Sequence, residues 1–126
     1  MKKLRVGVIG GGQFSSSFIP LFQAHPLVEE VALVELDAER RSRVAAQFSI
    51  AKTFASLSEF WKSDFNAVAI FTPRWTHAQI ALEALEKGRH VYTAVPMGLT
   101  AQEITDLVAA ASATQLTYFM AETSYY

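Results

Sequence analysis

The sequence predicts an α/β protein of three layers, α/β/α, built on one doubly wound parallel sheet of about six strands. Two observations carry this. Short, unbroken apolar runs alternate to the end of the chain with stretches whose apolar residues recur at helical spacing. That alternation is the pattern of βαβ units, not of hairpins. The first run, Val6-Gly7-Val8-Ile9, breaks into Gly10-Gly11-Gly12, and a helix-compatible stretch follows at once. Right-handed crossovers then give the strand order 3-2-1-4-5-6.

The elements follow in order. Leu4 to Ile9 reads as a buried parallel strand, because nothing polar interrupts Val6 to Ile9. Phe14 to Phe22 is the first helix, with Pro20 predicted to kink it. Val31 to Val34 is the second strand and ends on Glu35. Asp37 is placed to cap the next helix, whose apolar side carries Val44, Ala45 and Phe48. A short strand is expected near Lys52-Thr53. Ser56-Leu57-Ser58-Glu59 is a capping box opening a short helix through Trp61. Ala67 to Phe71 is the next buried strand. Thr76 to Lys87 is a helix with Ile80, Leu82, Ala84 and Leu85 as apolar positions, and Gly88 sits where a C-terminal cap belongs. His90 to Thr93 is a strand. Thr100-Ala101-Gln102-Glu103 is a second capping box, opening a helix with Ile104, Leu107, Val108 and Ala111 at helical spacing. Thr117 to Ala121 is the last strand.

Ligands in such sheets bind at the carboxyl ends of the strands, near the switch between strands 1 and 4. The glycines at that switch read Gly10-x-Gly12-x-x-Ser15, a dinucleotide fingerprint intact at two glycines and relaxed at the third. Glycine lets the backbone turn tightly and approach a ligand closely, and the following helix start favours an anion. Taken alone, the motif is equally an ordinary glycine-rich turn. Glu35, twenty residues beyond Ser15, adds the second half of the signature. A carboxylate there accepts hydrogen bonds from a ribose 2′,3′-diol and repels a 2′-phosphate. A Rossmann-type site for NAD(H) is therefore predicted, with NADP(H) less favoured. Arg40, Arg41 and Arg43 are the residues that would take a 2′-phosphate, although a solvated helix face is the plainer reading for most of them. Gly10–Ser15, Glu35, Thr72–Trp75 and Thr93–Met97 all fall at the same strand ends.

Composition narrows the classes. At 126 residues, 51% of them hydrophobic and nine of them Phe, the chain supports one domain with a substantial core. The absence of cysteine removes disulfides, thiolate catalysis and Cys-zinc sites. His25, His77 and His90 show no metal-ligand spacing. A net charge of −1 supplies no basic field for nucleic acid or an anionic membrane. The Met1-Lys2-Lys3-Leu4 start lacks the long apolar stretch and cleavage site of a signal peptide, and no segment is long enough to span a bilayer. A cytoplasmic protein is expected.

Four segments together resemble the nucleotide-binding half of the glucose–fructose oxidoreductase / inositol dehydrogenase (Gfo/Idh/MocA) family. They are Gly10-Gly11-Gly12, Glu35-Leu36-Asp37-Ala38-Glu39-Arg40, Thr72-Pro73-Arg74-Trp75-Thr76-His77, and Ala81-Leu82-Glu83-Ala84-Leu85-Glu86-Lys87-Gly88-Arg89-His90-Val91. The resemblance covers essentially the whole chain. It implies a nicotinamide dinucleotide lying across the strand ends, with Gly10, Gly11, Gly12, Gln13, Phe14, Glu35, Thr72, Pro73, Trp75 and His77 as the cofactor-binding set. It places His77 near the nicotinamide-side phosphates or ribose; from the residues alone, His77 is a first-turn helix residue without a ligand. No catalytic residue and no metal ligand is assigned.

Two departures from the family matter. Members usually carry Glu-Lys-Pro after the fifth strand, with the lysine assisting proton movement at the substrate hydroxyl. Here the triplet is Ala94-Val95-Pro96. Members also continue into a second α/β domain that supplies the substrate pocket and usually the dimer interface. This chain stops at Glu122-Thr123-Ser124-Tyr125-Tyr126, where that domain would begin, and the terminal tyrosines fit a truncation. Residues 1–126 are therefore expected to be the NAD(P)-binding domain of an oxidoreductase acting on a sugar-like or polyol hydroxyl. The chain alone is expected to bind cofactor without turnover, to meet its small-molecule substrate only with the missing domain, and to leave homo-oligomerisation open. A non-catalytic NAD(H)-binding regulator or scaffold is the alternative, and S-adenosylmethionine chemistry on the same kind of sheet is a distant third.

Overall fold

The computed structural model describes residues 3–121; the terminal tyrosines, Tyr125 and Tyr126, lie outside them. Six parallel strands form one sheet in the order β3-β2-β1-β4-β5-β6, the predicted arrangement. The strands are β1 (Leu4–Ile9), β2 (Val28–Val34), β3 (Thr53–Phe54), β4 (Ala67–Ile70), β5 (His90–Ala94) and β6 (Tyr118–Ala121). The helices are α1 (Gln13–Ala24), α2 (Ala38–Phe48), α3 (Leu57–Phe60), α4 (His77–Glu86) and α5 (Ala101–Ser112). A 3₁₀ turn at Arg74–Thr76 leads into α4. The expected start of that helix at Thr76 is thus shifted by one residue, with the preceding turn wound more tightly.

Both sheet faces are apolar, as a parallel sheet covered on two sides requires. On one face Ile9, Val34, Val68, Ile70 and Val91 meet Phe60, Phe65, Leu107 and the buried stripe Ala78, Ala81, Ala84 and Leu85 of α4. On the other, Val6, Val8, Leu33 and Ala69 meet Ile19 of α1 and Val44 of α2. Phe60 sits so close beneath β1 that a Cβ at Gly7 would lie 2.3 Å from its ring, so glycine at that strand position makes room for the aromatic. The relaxed third motif position behaves as close packing demands. Ser15 is fully buried, and its hydroxyl donates to the Gly12 carbonyl at 2.9 Å.

Most of the predicted helix signals are present in the structure. The Asp37 side chain accepts from the Arg40 N–H, and Thr100 with Glu103 forms a complete capping box. Ser56 caps α3, but Glu59 bonds the Ala55 N–H instead of closing its box. Gly88, with φ +79°, follows the end of α4 in the left-handed region. α1 continues through Pro20 as a single helix. A further expectation fails: of the apolar positions proposed for α5, Ile104 and Val108 are exposed, and only Leu107 is fully buried. The helix packs chiefly against α4 through a narrow seam, so its 3.6-residue pattern overstated the buried face.

Candidate dinucleotide site

At the carboxyl ends of β1, β2 and β4 lies a cleft of about 650 Å³. Gly10, Gly11, Gly12, Glu35, Thr72 and Pro73 line it, together with Leu36, Arg40, Leu57, Thr76 and Ile80. The chain thus brings its two most telling signals, glycine turn and acid, to one wall, and the Thr-Pro turn to the opposite one.

The three glycines have three different reasons. Gly10 has φ +99°, and an added Cβ would lie 3.1 Å from the Phe71 carbonyl, so the protein's own backbone demands glycine there. Its N–H donates to the Val34 carbonyl at 2.9 Å, which anchors the turn to β2. At Gly11 a Cβ would come within 3.2 Å of the Glu35 carboxylate. Gly12 differs from both: a Cβ there meets no protein atom within 4 Å. Packing does not ask for glycine at that position, and the space beside it is open.

Gly12 is also the N-cap of α1 and offers no side chain to the helix start, and the first turn holds no acid. By contrast, Asp37, Ser56 and Thr100 each accept from a first-turn N–H of their helices. The α1 start is therefore left with backbone donors and the positive end of the helix dipole facing the glycine turn, the arrangement that suits a pyrophosphate.

Glu35 is buried, with 8% of its surface exposed. One carboxylate oxygen accepts from the Gly11 N–H at 2.8 Å, and the other from the Asp37 N–H at 2.9 Å. The Arg40 guanidinium stands 3.7 Å away, and Arg41 reaches instead to the Glu35 backbone carbonyl at 2.8 Å. A carboxylate has about four acceptor positions, so two N–H groups leave room for two hydroxyls. The N–H groups of Gly10 and Gly11 are thus already committed to the protein.

On the far wall, the Thr72 hydroxyl bonds the Thr76 hydroxyl at 2.7 Å, and Thr76 donates to the Pro73 carbonyl at 2.6 Å. Gln13, Phe14 and Trp75 stand exposed outside the cleft wall, Trp75 at 66% and Phe14 at 49%. Phe14 stacks on Phe18 with centroids 5.2 Å apart, extending an aromatic row along α1. His77 is buried behind the Thr72 turn, with both ring nitrogens on backbone carbonyls. Val95 is half-buried in the loop after β5, and the peptide bond to Pro96 is cis. Leu57 and Ile80 were legible only as core positions; nothing in their spacing marks them as cleft walls. No group of three or more potential metal ligands occurs among the described residues.

The model of the Gfo/Idh/MocA oxidoreductase family, NAD-binding Rossmann fold, matches residues 4–122. The chain belongs to this family. It is 32% identical over 115 residues to a glycosyl hydrolase family 109 protein of Saccharopolyspora erythraea, covering 83% of this chain and 25% of that protein. It is 30% identical over 112 residues to the levoglucosan dehydrogenase of Pseudarthrobacter phenanthrenivorans, covering 82% and 29% respectively. Among solved structures, GenD2 from gentamicin A biosynthesis in complex with NAD superposes with a TM-score of 0.87 at 26% identity, covering 95% of this chain and 34% of that one. The chain spans between a quarter and a third of the length of these relatives. It is an NAD-binding Rossmann domain of the family.

Proposed function

We propose that residues 1–126 bind NAD(H) for an oxidoreductase that acts on a sugar-like or polyol hydroxyl. The observation that carries this is the buried Glu35 carboxylate, fixed by the Gly11 and Asp37 N–H groups beside an uncapped helix start. In this reading Glu35 takes the adenosine ribose hydroxyls. The Gly12 backbone and first turn of α1, with Gln13 and Phe14, take the pyrophosphate. Thr72, Pro73 and Trp75 flank the far side, with His77 behind them. A 2′-phosphate would meet the Glu35 charge, so NAD(H) is favoured over NADP(H). The carbohydrate names of both curated relatives support the substrate class.

The bound nicotinamide supplies the hydride acceptor or donor. Oxidising a hydroxyl also requires removal of its proton, and Val95 has no group that can take it. Absence of a positioned acid–base residue typically costs 10²–10⁴-fold in rate. The chain alone therefore binds cofactor without turnover, and the remaining groups come from a further domain. Val95 equally favours a second reading, a non-catalytic NAD(H)-binding regulator.

Calorimetric titration of the purified chain with NAD⁺, NADH, NADP⁺ and S-adenosylmethionine tests the proposal, paired with Glu35→Ala. Binding of NADH or NAD⁺ that weakens in the variant supports it; preference for NADP⁺ or S-adenosylmethionine overturns it. Steady oxidation of a polyol by the chain would end the claim that it is inactive alone. A longer protein with the same Ala-Val-Pro loop that oxidises a sugar would end the regulatory reading.

A further inference from the structure

His77 opens α4 with 3% of its surface exposed. Its Nδ1 lies 2.8 Å from the Pro96 carbonyl oxygen, and its Nε2 lies 2.7 Å from the Thr72 carbonyl oxygen. Both partners can only accept. The ring therefore stands as a bridge between the two carbonyls. The ring is held in place because α4 is seated on the sheet through Ala78, Ile80 and Ala81.

The two carbonyls belong to different parts of the site. Thr72 lies in the turn that lines the cleft, whereas Pro96 lies in the loop after β5 that carries Val95. Beyond the β4–β5 ladder, no other hydrogen bond among the described residues joins the Thr72–His77 segment to the Val95–Thr100 segment. Since both ring nitrogens are occupied by the protein, His77 has no donor left for a ligand.

We propose that His77 is a positioning residue, a lock whose ring bridges the Thr72 and Pro96 carbonyls and so fixes the cleft-lining turn and the Val95-Pro96 loop relative to each other. The link to cofactor binding rests on the dinucleotide reading above; the lock itself does not. A residue that merely filled space would hold neither loop by hydrogen bonds.

The test compares the chain with His77→Phe, which keeps a flat ring without N–H groups, and with His77→Gln, whose single amide nitrogen reaches one carbonyl. Amide hydrogen exchange is followed at residues 74–76 and 97–99, and NADH affinity is measured in parallel. Losing a partner for a buried carbonyl predicts exchange about tenfold faster or more in both segments of the Phe variant, with weaker NADH binding. The Gln variant should restore one segment only, and it carries the comparison if the Phe variant does not fold. Faster exchange confined to residues 74–76, or in neither segment, overturns the lock. Failure of the wild type to bind NADH would remove the dinucleotide reading, while the exchange result would still decide the lock.

Discussion

The two walls of the cleft are each organised by one buried polar side chain, and the two side chains differ in what they leave over. Glu35 accepts from two N–H groups of separate segments and keeps lone pairs to spare. His77 meets two carbonyls and has nothing to spare. Both knit the backbone together, but only the carboxylate can also face a ligand. Burial of a polar group at a strand end thus does not by itself mark a binding residue; unfilled bonding capacity does.

The largest effect that would sharpen this comparison is expected at Glu35. Hydrogen bonds to a charged group contribute about 1.5–3 kcal/mol, so Glu35→Ala should weaken NADH binding by about 10–100-fold in a calorimetric titration. Glu35→Gln presents one oxygen in place of two and should fall between. Unchanged affinity in both variants would make Glu35 a backbone tie of the same kind as His77, and the contrast would disappear.

Next come the glycines. Gly10→Ala forces a side chain into a left-handed conformation against the Phe71 carbonyl, and should lower unfolding stability by about 1–3 kcal/mol in denaturant titration. Gly12→Ala has an extended backbone, with φ −76°, and open space around it. It should leave stability within about 1 kcal/mol of wild type and weaken NADH binding instead. If Gly12→Ala destabilised the fold and left NADH affinity intact, the ligand argument for that residue would fail.

The β1–β2 wall was legible in the sequence because its chemistry is local. A glycine turn after an apolar run, an acid ending the next one, and Asp37 placed to cap α2 are short-range patterns with one structural solution each. Topology placed Thr72–Trp75 of the opposite wall at the same strand ends, but their roles were legible only through the Thr72–His77 and Ala81–Val91 resemblance. What His77 does depends on Pro96, nineteen residues away, and no periodicity reports that a loop carbonyl will arrive beside a helix start. The same limit hid Leu57 and Ile80, whose apolar spacing is that of core residues although they line the cleft. Strand order followed from handedness and alternation, whereas the exposed Ile104 and Val108 depended on how α5 is seated.

Acid should loosen the β1–β2 side of the sheet before the β5 side. The Arg5 guanidinium holds Glu30, near the start of β2, and Asp64 below the usual carboxylate range, and the Arg40 N–H does the same for Asp37. Depressed folded-state values mean that these groups stabilise the fold above their unfolded values, near pH 4. The contribution is lost as pH falls through the lower folded values. Amide exchange in β2 and at the start of α2 should therefore rise earlier on acidification than exchange in β5. Uniform acceleration across the sheet would show that no such local weakness exists on the β1–β2 side.

The smallest effect is expected from Arg40, and it bears on which dinucleotide is bound. Its guanidinium is half exposed and 3.7 Å from Glu35, a distance and setting at which ion pairs contribute about 0–1 kcal/mol. Arg40→Ala should change NADH affinity by less than about fivefold. NADP⁺ affinity should remain poor, because the Glu35 carboxylate that repels the 2′-phosphate is still in place. The informative failure is a variant that loses measurable NADP⁺ binding while keeping NADH. In that case Arg40 would be the residue that tolerates a 2′-phosphate, and the wall assigned to Glu35 alone would be shared between an acid and a base. Pairing Arg40→Ala with Glu35→Ala would then separate the two, since the double variant should lose discrimination between NADH and NADPH altogether.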